Sequence, residues 1–210
     1  MVKILIVDDH VVVRDGVKSM FNEQRGAVSF GEASRPQDAL QLVHEAEWDV
    51  MVLDISLGGR NGLELLKDIK QLRPQLPVLI LSMHAEEQYA QRAFKAGACG
   101  YITKDCSRTE LYEAINKVMN GGRYVSPALA EKLVMNNERD IDKPRHESLS
   151  DREFEVLRLI ASGKTLSEIA SLLGLSDKTI STYRARLLDK MGMKTNAELT
   201  HYAITQKLVE

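Results

Sequence analysis

Asp8, Asp9, Asp54, Ser82 and Lys104 are the residues in the first half of the 210-residue chain whose types could do chemistry together. Each follows a short apolar run: "KILIV" before Asp8, "VMVL" before Asp54, "VLIL" before Ser82 and "GYIT" before Lys104. A single Asp in that position is most often a turn former or a helix cap. A repeated set of acids, a hydroxyl and an ammonium at the same relative position is a different matter. Carboxylates brought close together raise one another's pKa unless a cation neutralises them. Hard oxygen ligands with open water positions suit Mg²⁺. A carboxylate held by a divalent ion can attack a phosphoryl group and form an acyl phosphate, with Asp54 as the nucleophile. Lys104 and the ion would offset charge on the phosphoryl oxygens, and Ser82 could donate a hydrogen bond to one of them. Gly58 and Gly59 leave little side-chain bulk beside Asp54.

The apolar runs belong to a larger alternation. Residues 3–9, 27–33, 49–54, 77–82 and 99–104 have strand character, and the segments after them, such as "GLELLKDIKQLR" and "TELYEAINKVMNG", have helical spacing. Five strand–helix pairs in alternation predict an α/β, doubly wound five-stranded parallel sheet of flavodoxin-like size, because parallel strands need crossover helices. In such a sheet the reactive crevice lies beyond the carboxyl ends of the strands. That is where the five residues fall.

The pattern changes after residue 122. "PALAEKLVM" reads as one short helix, and residues 136–148, "NNERDIDKPRHES", are polar and without period, as a linker is. The predicted division is therefore 1–122, a helix and linker over 123–148, and an all-α domain over 149–210. Helices are expected near 150–162, 165–173, 177–191 and 196–207. Ser150 with Glu153 forms a capping box, and Ser176 opens the third helix. In "TLSEIASLLGLSDKTISTYRARL", Ile169, Leu172 and Leu173 make one apolar face, Gly174 allows a tight turn and Leu175 anchors it. On the next helix Ile180, Tyr183, Leu187 and Met191 should pack inward, leaving Lys178, Ser181, Thr182, Ala185, Arg186 and Asp189 outside. That is helix-turn-helix logic, with an outer helix suited to a major groove. Lys164, Thr165, Lys178, Thr179, Ser181, Thr182, Arg184, Arg186 and Lys190 are the candidate contacts to double-stranded DNA. The same stripe, in which five basic residues between 178 and 194 face only Asp189, is equally what a solvated helix face looks like. Leu199, Tyr202 and Ala203 form a stripe on the last helix, for packing or for a dimer contact.

Composition narrows the classes. With 44% hydrophobic and 28% charged residues and a net charge of −2, a packed core is expected and wholesale disorder is not. No apolar run approaches the roughly 20 residues of a membrane span, and the start of the chain lacks a signal-peptide pattern, so a cytoplasmic location without membrane partners is expected. Cys99 and Cys106 read as reduced structural thiols. There is no Walker-type loop and no G-x-G-x-x-G.

Residues 1–122, through Asp8-Asp9, Asp54, Ser82, Tyr101 and Lys104, resemble the receiver domain of two-component response regulators. Residues 149–207 resemble the LuxR-type helix-turn-helix, so the whole resembles a NarL/FixJ-type response regulator. The resemblance implies a transcription regulator, not an enzyme, whose Asp54 takes phosphate from a cognate histidine kinase. It implies Mg²⁺ held by Asp8, Asp9 and Asp54 with the Ser56 carbonyl, and Ser82 and Tyr101 as a switch pair served by Lys104. Ser56 and His84, each two residues past a site residue, occupy positions that tune phosphoryl lifetime; the alternative for His84 is a plain exposed loop residue. A homodimer is implied when phosphorylated or on DNA. The chain departs from the family pattern in four places, one being Asp105 rather than Pro after Lys104, as is usual in this subfamily. Leu57-Gly58-Gly59 replaces the usual Met-Pro-Gly, putting the loop geometry in question. Ser181 stands where Lys is frequent, and Tyr183 where His is. An aspartate-nucleophile phosphatase is the competing enzyme reading, but it wants a D-x-D at the first strand. A receiver whose helical tail binds protein or RNA is the other competitor. Because the linker is polar, control is expected through contact, either by the receiver covering the DNA helix or by a dimer gathering two of them.

Overall fold

The strands form where β-branched and aliphatic residues run together and end where an acid or hydroxyl meets a turn. In the computed structural model, which describes residues 1–22, 27–57, 60–127, 129–131 and 144–209, these are β1 (Val2–Val7), β2 (Val28–Ala33), β3 (Val50–Leu53), β4 (Val78–Ser82) and β5 (Gly100–Thr103). They pair in the order β2-β1-β3-β4-β5, all parallel. The expected doubly wound sheet is therefore present. Between and after the strands lie α1 (Val11–Asn22), α2 (Pro36–Glu45), α3 (Gly62–Leu72), α4 (Glu86–Lys95) and α5 (Arg108–Met119).

Strand periodicity sends alternate residues to opposite faces. Ile4, Ile6, Val50, Val52, Leu79 and Leu81 pack in one cluster with Val17, Met20 and Phe21 of α1 and Leu111, Ala114, Ile115 and Val118 of α5. The intervening Leu5, Val7, Met51, Leu53 and Ile80 are just as buried. β3 and β4 are buried along their whole length, which is why they read as continuous apolar runs.

Two features escape the strand–helix alternation. Ser56–Leu57 pairs antiparallel with Arg60–Asn61, so the segment expected to be a plain loop is flanked by a two-stranded ladder. Gly58 and Gly59 lie outside the described residues. Tyr124, assigned to the linker region, instead forms a parallel bridge with Gly100 at the edge of β5.

The chain divides into two compact units, Met1–Val134 and Met135–Glu210. The second contains α6 (Asp151–Ala161), α7 (Leu166–Leu173), α8 (Asp177–Met191) and α9 (Asn196–Thr205). Capping boxes start three of them: Ser150 with Glu153, Thr165 with Glu168, and Thr195 with Glu198. Ser176 caps α8 by accepting from the Thr179 N–H. Gly174 sits at φ 61°, ψ 35°, the left-handed turn between α7 and α8 that a side chain would strain. The first turn of this unit begins earlier than expected, in a 3-10 helix over Arg145–Ser148. Arg145 donates to the Met191 carbonyl at 2.8 Å, so the last residues of the expected linker are part of the helical unit. The middle of that linker lies outside the described residues.

Candidate functional site

Backbone ladders carry the chemical residues into register. The Asp8 N–H donates to the Ala33 carbonyl at 3.1 Å, the Asp54 N–H to Val7 at 2.9 Å, and the Lys104 N–H to Ser82 at 2.8 Å. Each residue thus continues a hydrogen-bonded strand by one step and points its side chain from the same sheet edge. Lys104 Nζ lies 2.7 Å from Asp8 Oδ2 and 2.7 Å from Asp54 Oδ2. All three side chains are buried. The cation that relieves repulsion between Asp8 and Asp54 is therefore already supplied in part by the chain.

One ammonium cannot neutralise the whole cluster. Asp8, Asp9, His10 and Asp54 bring ligand atoms within 4.8 Å of one another. Asp8 Oδ2 is buried and, among the described residues, has the Lys104 ammonium 2.7 Å away but no well-aligned hydrogen bond. Burial pushes the Asp54 carboxyl above its usual range against the pull of Lys104. Burial alone would lower the Lys104 pKa, but its bonds to Asp54 and Asp8 outweigh that and raise it. The excess of carboxylate oxygen is the donor chemistry a hard divalent cation takes.

The pocket rim is built from residues that hold one another. Ser56 N–H donates to Asp54 Oδ1 at 3.2 Å. Ser56 Oγ lies 3.2 Å from His84 Nε2, and the His84 ring stacks on Tyr89 at 4.6 Å between centroids. His84 N–H donates to Ser82 Oγ at 3.2 Å, and Tyr101 O–H donates to the His84 carbonyl at 2.8 Å. His84 is thus a junction and not a loop residue facing only water. Tyr101 is fully buried.

Sequence reasoning missed His10, whose N–H donates to Asp8 Oδ1 at 2.8 Å and whose Nδ1 lies 2.8 Å from Asp9. It also missed Gly62. A β-carbon there would meet the Asp54 carbonyl oxygen at 2.2 Å, so only glycine lets α3 begin against the Asp54–Ile55 backbone. Asn61 secures that start by accepting from the Leu63 N–H. The signal for both lay in the sequence, as "DDH" and as Asn before Gly at a helix start.

In the second unit Lys178, Ser181, Thr182, Ala185, Arg186 and Asp189 are all exposed on α8, while Ile180, Leu187 and Met191 are buried and Tyr183 is half-buried. Lys164 and Thr165 are exposed just before α7. Of the candidate contacts, Thr165 bonds to Glu168 and Thr182 to the Lys178 carbonyl within their own helices, and three more are tied to their own unit. Arg184 Nε donates to Asn196 Oδ1 at 2.6 Å, Lys190 Nζ lies 2.7 Å from Glu153, and Thr179 Oγ1 is 2.8 Å from Ser176 Oγ. Two expectations need correction. Leu172 is 54% exposed, and Ala170 fills the inner position instead, because on an α-helix Ala170 lies about 60° from the buried Leu173 whereas Leu172 lies about 100° from it on the other side. Leu199 and Ala203 are completely buried on α9, which packs on α6, and the Tyr202 hydroxyl lies 3.0 Å from His146 Nδ1. The stripe is spent on packing, so Leu199 and Ala203 have no surface left to offer a second copy.

An acidic pocket with a bridging lysine at the carboxyl edge of a 2-1-3-4-5 sheet, joined to a helix-turn-helix, defines a two-component response regulator. The chain belongs to that family: residues 4–116 match the response regulator receiver domain and residues 147–203 the bacterial regulatory proteins of the luxR family, the NarL/FixJ arrangement. It is 34% identical to the response regulator GacA of Pseudomonas aeruginosa, over 100% of this chain and 99% of that one. It is also similar to the RcsB response regulator of Salmonella enterica serovar Typhimurium bound to a promoter in the presence of phosphomimetic BeF3−, at 26% identity and TM-score 0.60, covering 96% of this chain and 97% of that one. A structure of two RcsB dimers bound to two parallel DNAs is similar at 27% identity and TM-score 0.58, covering 96% and 97%. The chain is a receiver joined to a LuxR-type DNA-binding domain. No described helix is long and apolar enough to cross a membrane.

Proposed function

We propose that Asp54 is the phosphoacceptor and that its acyl phosphate controls DNA binding by the second unit. The observation that carries this is Lys104 Nζ held 2.7 Å from both Asp54 and Asp8 at the sheet edge. Asp54 attacks the phosphorus of a phosphohistidine on a partner kinase. A P–O bond forms, the P–N bond breaks, and the imidazole nitrogen leaves with the electron pair and takes a proton. Lys104 stabilises charge on the phosphoryl oxygens, and Ser82 donates its hydroxyl to one of them. Asp8, Asp9 and Asp54, with the Ser56 carbonyl, are the residues that would hold Mg²⁺. When bound, that ion supplies positive charge to the transferring oxygens.

On DNA, Lys178, Ser181, Thr182 and Arg186 are assigned to the major groove and its phosphates, with Lys164, Thr165 and Thr179 near the backbone. Arg184 and Lys190 act there chiefly by positioning α8, since each is bonded within the unit. One helix-turn-helix binds weakly. A homodimer that gathers two across half-sites about 10 bp apart raises affinity through effective concentration, and the DNA-bound RcsB dimers support that reading. The test is labelling by acetyl phosphate with Mg²⁺. Asp54→Asn should abolish it, and Asp9→Ala should raise the Mg²⁺ concentration required. Full labelling of Asp54→Asn would move the nucleophile elsewhere and defeat the pocket as described.

A further inference from the structure

The outer face of α8 changes chemistry along its length. Lys178 is exposed in the first turn, and Arg186, Asp189 and Lys190 are exposed in the second half. Between them the outward positions are Ser181, Thr182 and Ala185, all exposed and none charged. At 3.6 residues per turn, Ala185 lies about 60° from Thr182 around the helix and nearly one turn along it, so the two side chains are neighbours on one strip. The Thr182 hydroxyl is already used. Its Oγ1 donates to the Lys178 carbonyl at 3.0 Å, the back-bond that a threonine can make within a helix. What Thr182 offers a ligand is therefore its γ-methyl, and Ala185 offers a β-methyl beside it. The strip is firmly held: Ile180 and Leu187 are completely buried, Arg184 is bonded to Asn196, and Ser176 caps the start of the helix.

We propose that Thr182 and Ala185 read thymine through its C5-methyl group, so that each operator half-site carries a thymine at one fixed position under the middle of α8. The inference rests on the reading of α8 as the helix that enters the major groove. Thymine alone among the four bases presents a methyl group there. Two methyl groups on the protein side cover it and exclude water, which is favourable for apolar surface. Guanine is chosen by Arg or Lys on its O6 and N7, and adenine by Asn or Gln on its N6 and N7; none of these four stands on the strip. Cytosine would press its amino group against the same two methyls and lose the water that satisfies it, a desolvation without a compensating bond. Lys178 and Arg186, before and after the strip, attract the phosphates and hold the helix in the groove without choosing a base.

The test uses the full chain with Mg²⁺ and beryllium trifluoride to select duplexes from a random-sequence pool. The selected duplex is then remade with deoxyuridine in place of each thymidine in turn. Uracil keeps every hydrogen-bonding group of thymine and lacks only the methyl. One position in each half-site should lose about fourfold in affinity on replacement, the effect of one buried methyl group. Thr182→Val, which keeps a methyl and has no hydroxyl, should retain the preference for thymine at that position. Thr182→Ser, which keeps the hydroxyl and has no γ-methyl, should lose most of it. Selected duplexes with no sensitive thymine would overturn the methyl reading and leave DNA binding by α8 standing. A Thr182→Ser variant with the full preference, or a Thr182→Val variant without it, would overturn the methyl reading as well, since the γ-methyl would not be the reader. Failure of the chain to select or bind any duplex would overturn the DNA-binding reading together with this one.

Discussion

Ser56 Oγ and His84 Nε2 lie 3.2 Å apart across the mouth of the acidic pocket, so the two positions expected to tune phosphoryl lifetime form a single clasp. A water attacking the acyl phosphate must pass that clasp. Ser56→Ala and His84→Ala should each change the dephosphorylation rate by about two- to tenfold, the effect of one hydrogen bond. Because both remove the same bond, the double variant should match either single one and not their product. Multiplying effects would show two independent residues, and unchanged rates in both single variants would end the tuning idea.

Strand-end chemistry was legible because a parallel sheet converts a linear pattern into a place. Apolar runs ending in Asp8, Asp54, Ser82 and Lys104 had to meet at one edge, and their ladders bring them there. The clasp was half legible: position implicated Ser56 and His84, but nothing in the sequence said that a side chain at 56 reaches one at 84. Tyr124 was not legible at all. A lone bridge between Gly100 and Tyr124 has no period, and the glycine that permits it looks like any other. Leu199 and Ala203 show the reverse limit, since a helical stripe records that a face is covered without recording what covers it. The structure covers it with α6.

Glu153 gives the second unit a pH dependence of definite sign. Burial alone would raise its pKa, but Lys190 and Ser150 outweigh burial and hold it below its ordinary 4.5. A depressed carboxyl stabilises the fold above its unfolded pKa and loses that stabilisation as pH falls through the folded value. Glu153→Gln keeps the capping box, because Gln serves at that position too, and removes only the charge. At pH 7 the variant should be less stable by about 1 kcal/mol, reduced from the buried value because Lys190 is partly exposed. The difference should vanish as pH falls below 4.5 toward the folded pKa. Denaturant titrations of both proteins at several pH values would measure it, and a gap that persists at the acid end would remove the charge as its cause.

The second unit should begin near residue 144 and not at 149. Arg145 donates to the Met191 carbonyl at 2.8 Å, the His146 ring lies 3.0 Å from the Tyr202 hydroxyl, and the same ring sits 6.0 Å from that of Phe154. A fragment of residues 149–210 lacks all three. It should be less stable than 144–210 by about 2 kcal/mol, two hydrogen bonds at roughly 1 kcal/mol each. Urea unfolding of the two fragments decides this, and equal midpoints with equal slopes would return residues 144–148 to the linker.

Arg186 and Arg184, two residues apart on α8, should separate DNA contact from helix positioning. Arg186 is exposed on the outer face beside Thr182 and Asp189, whereas Arg184 is half-buried and its Nε is 2.6 Å from Asn196 Oδ1. Each phosphate contact releases counterions, contributing about 0.9 to the slope of log affinity against log salt on duplex DNA. In the 144–210 fragment Arg186→Ala should weaken binding to any duplex and flatten that slope by about 0.9, with little loss of stability. Arg184→Ala breaks the tie between α8 and the start of α9, so it should lower stability by about 1 kcal/mol and change the slope less. Titrating both variants against one duplex at two salt concentrations, beside their urea midpoints, distinguishes the roles. If Arg184→Ala flattens the slope as much as Arg186→Ala at unchanged stability, Arg184 leaves Asn196 to reach the phosphates, and its positioning role is lost.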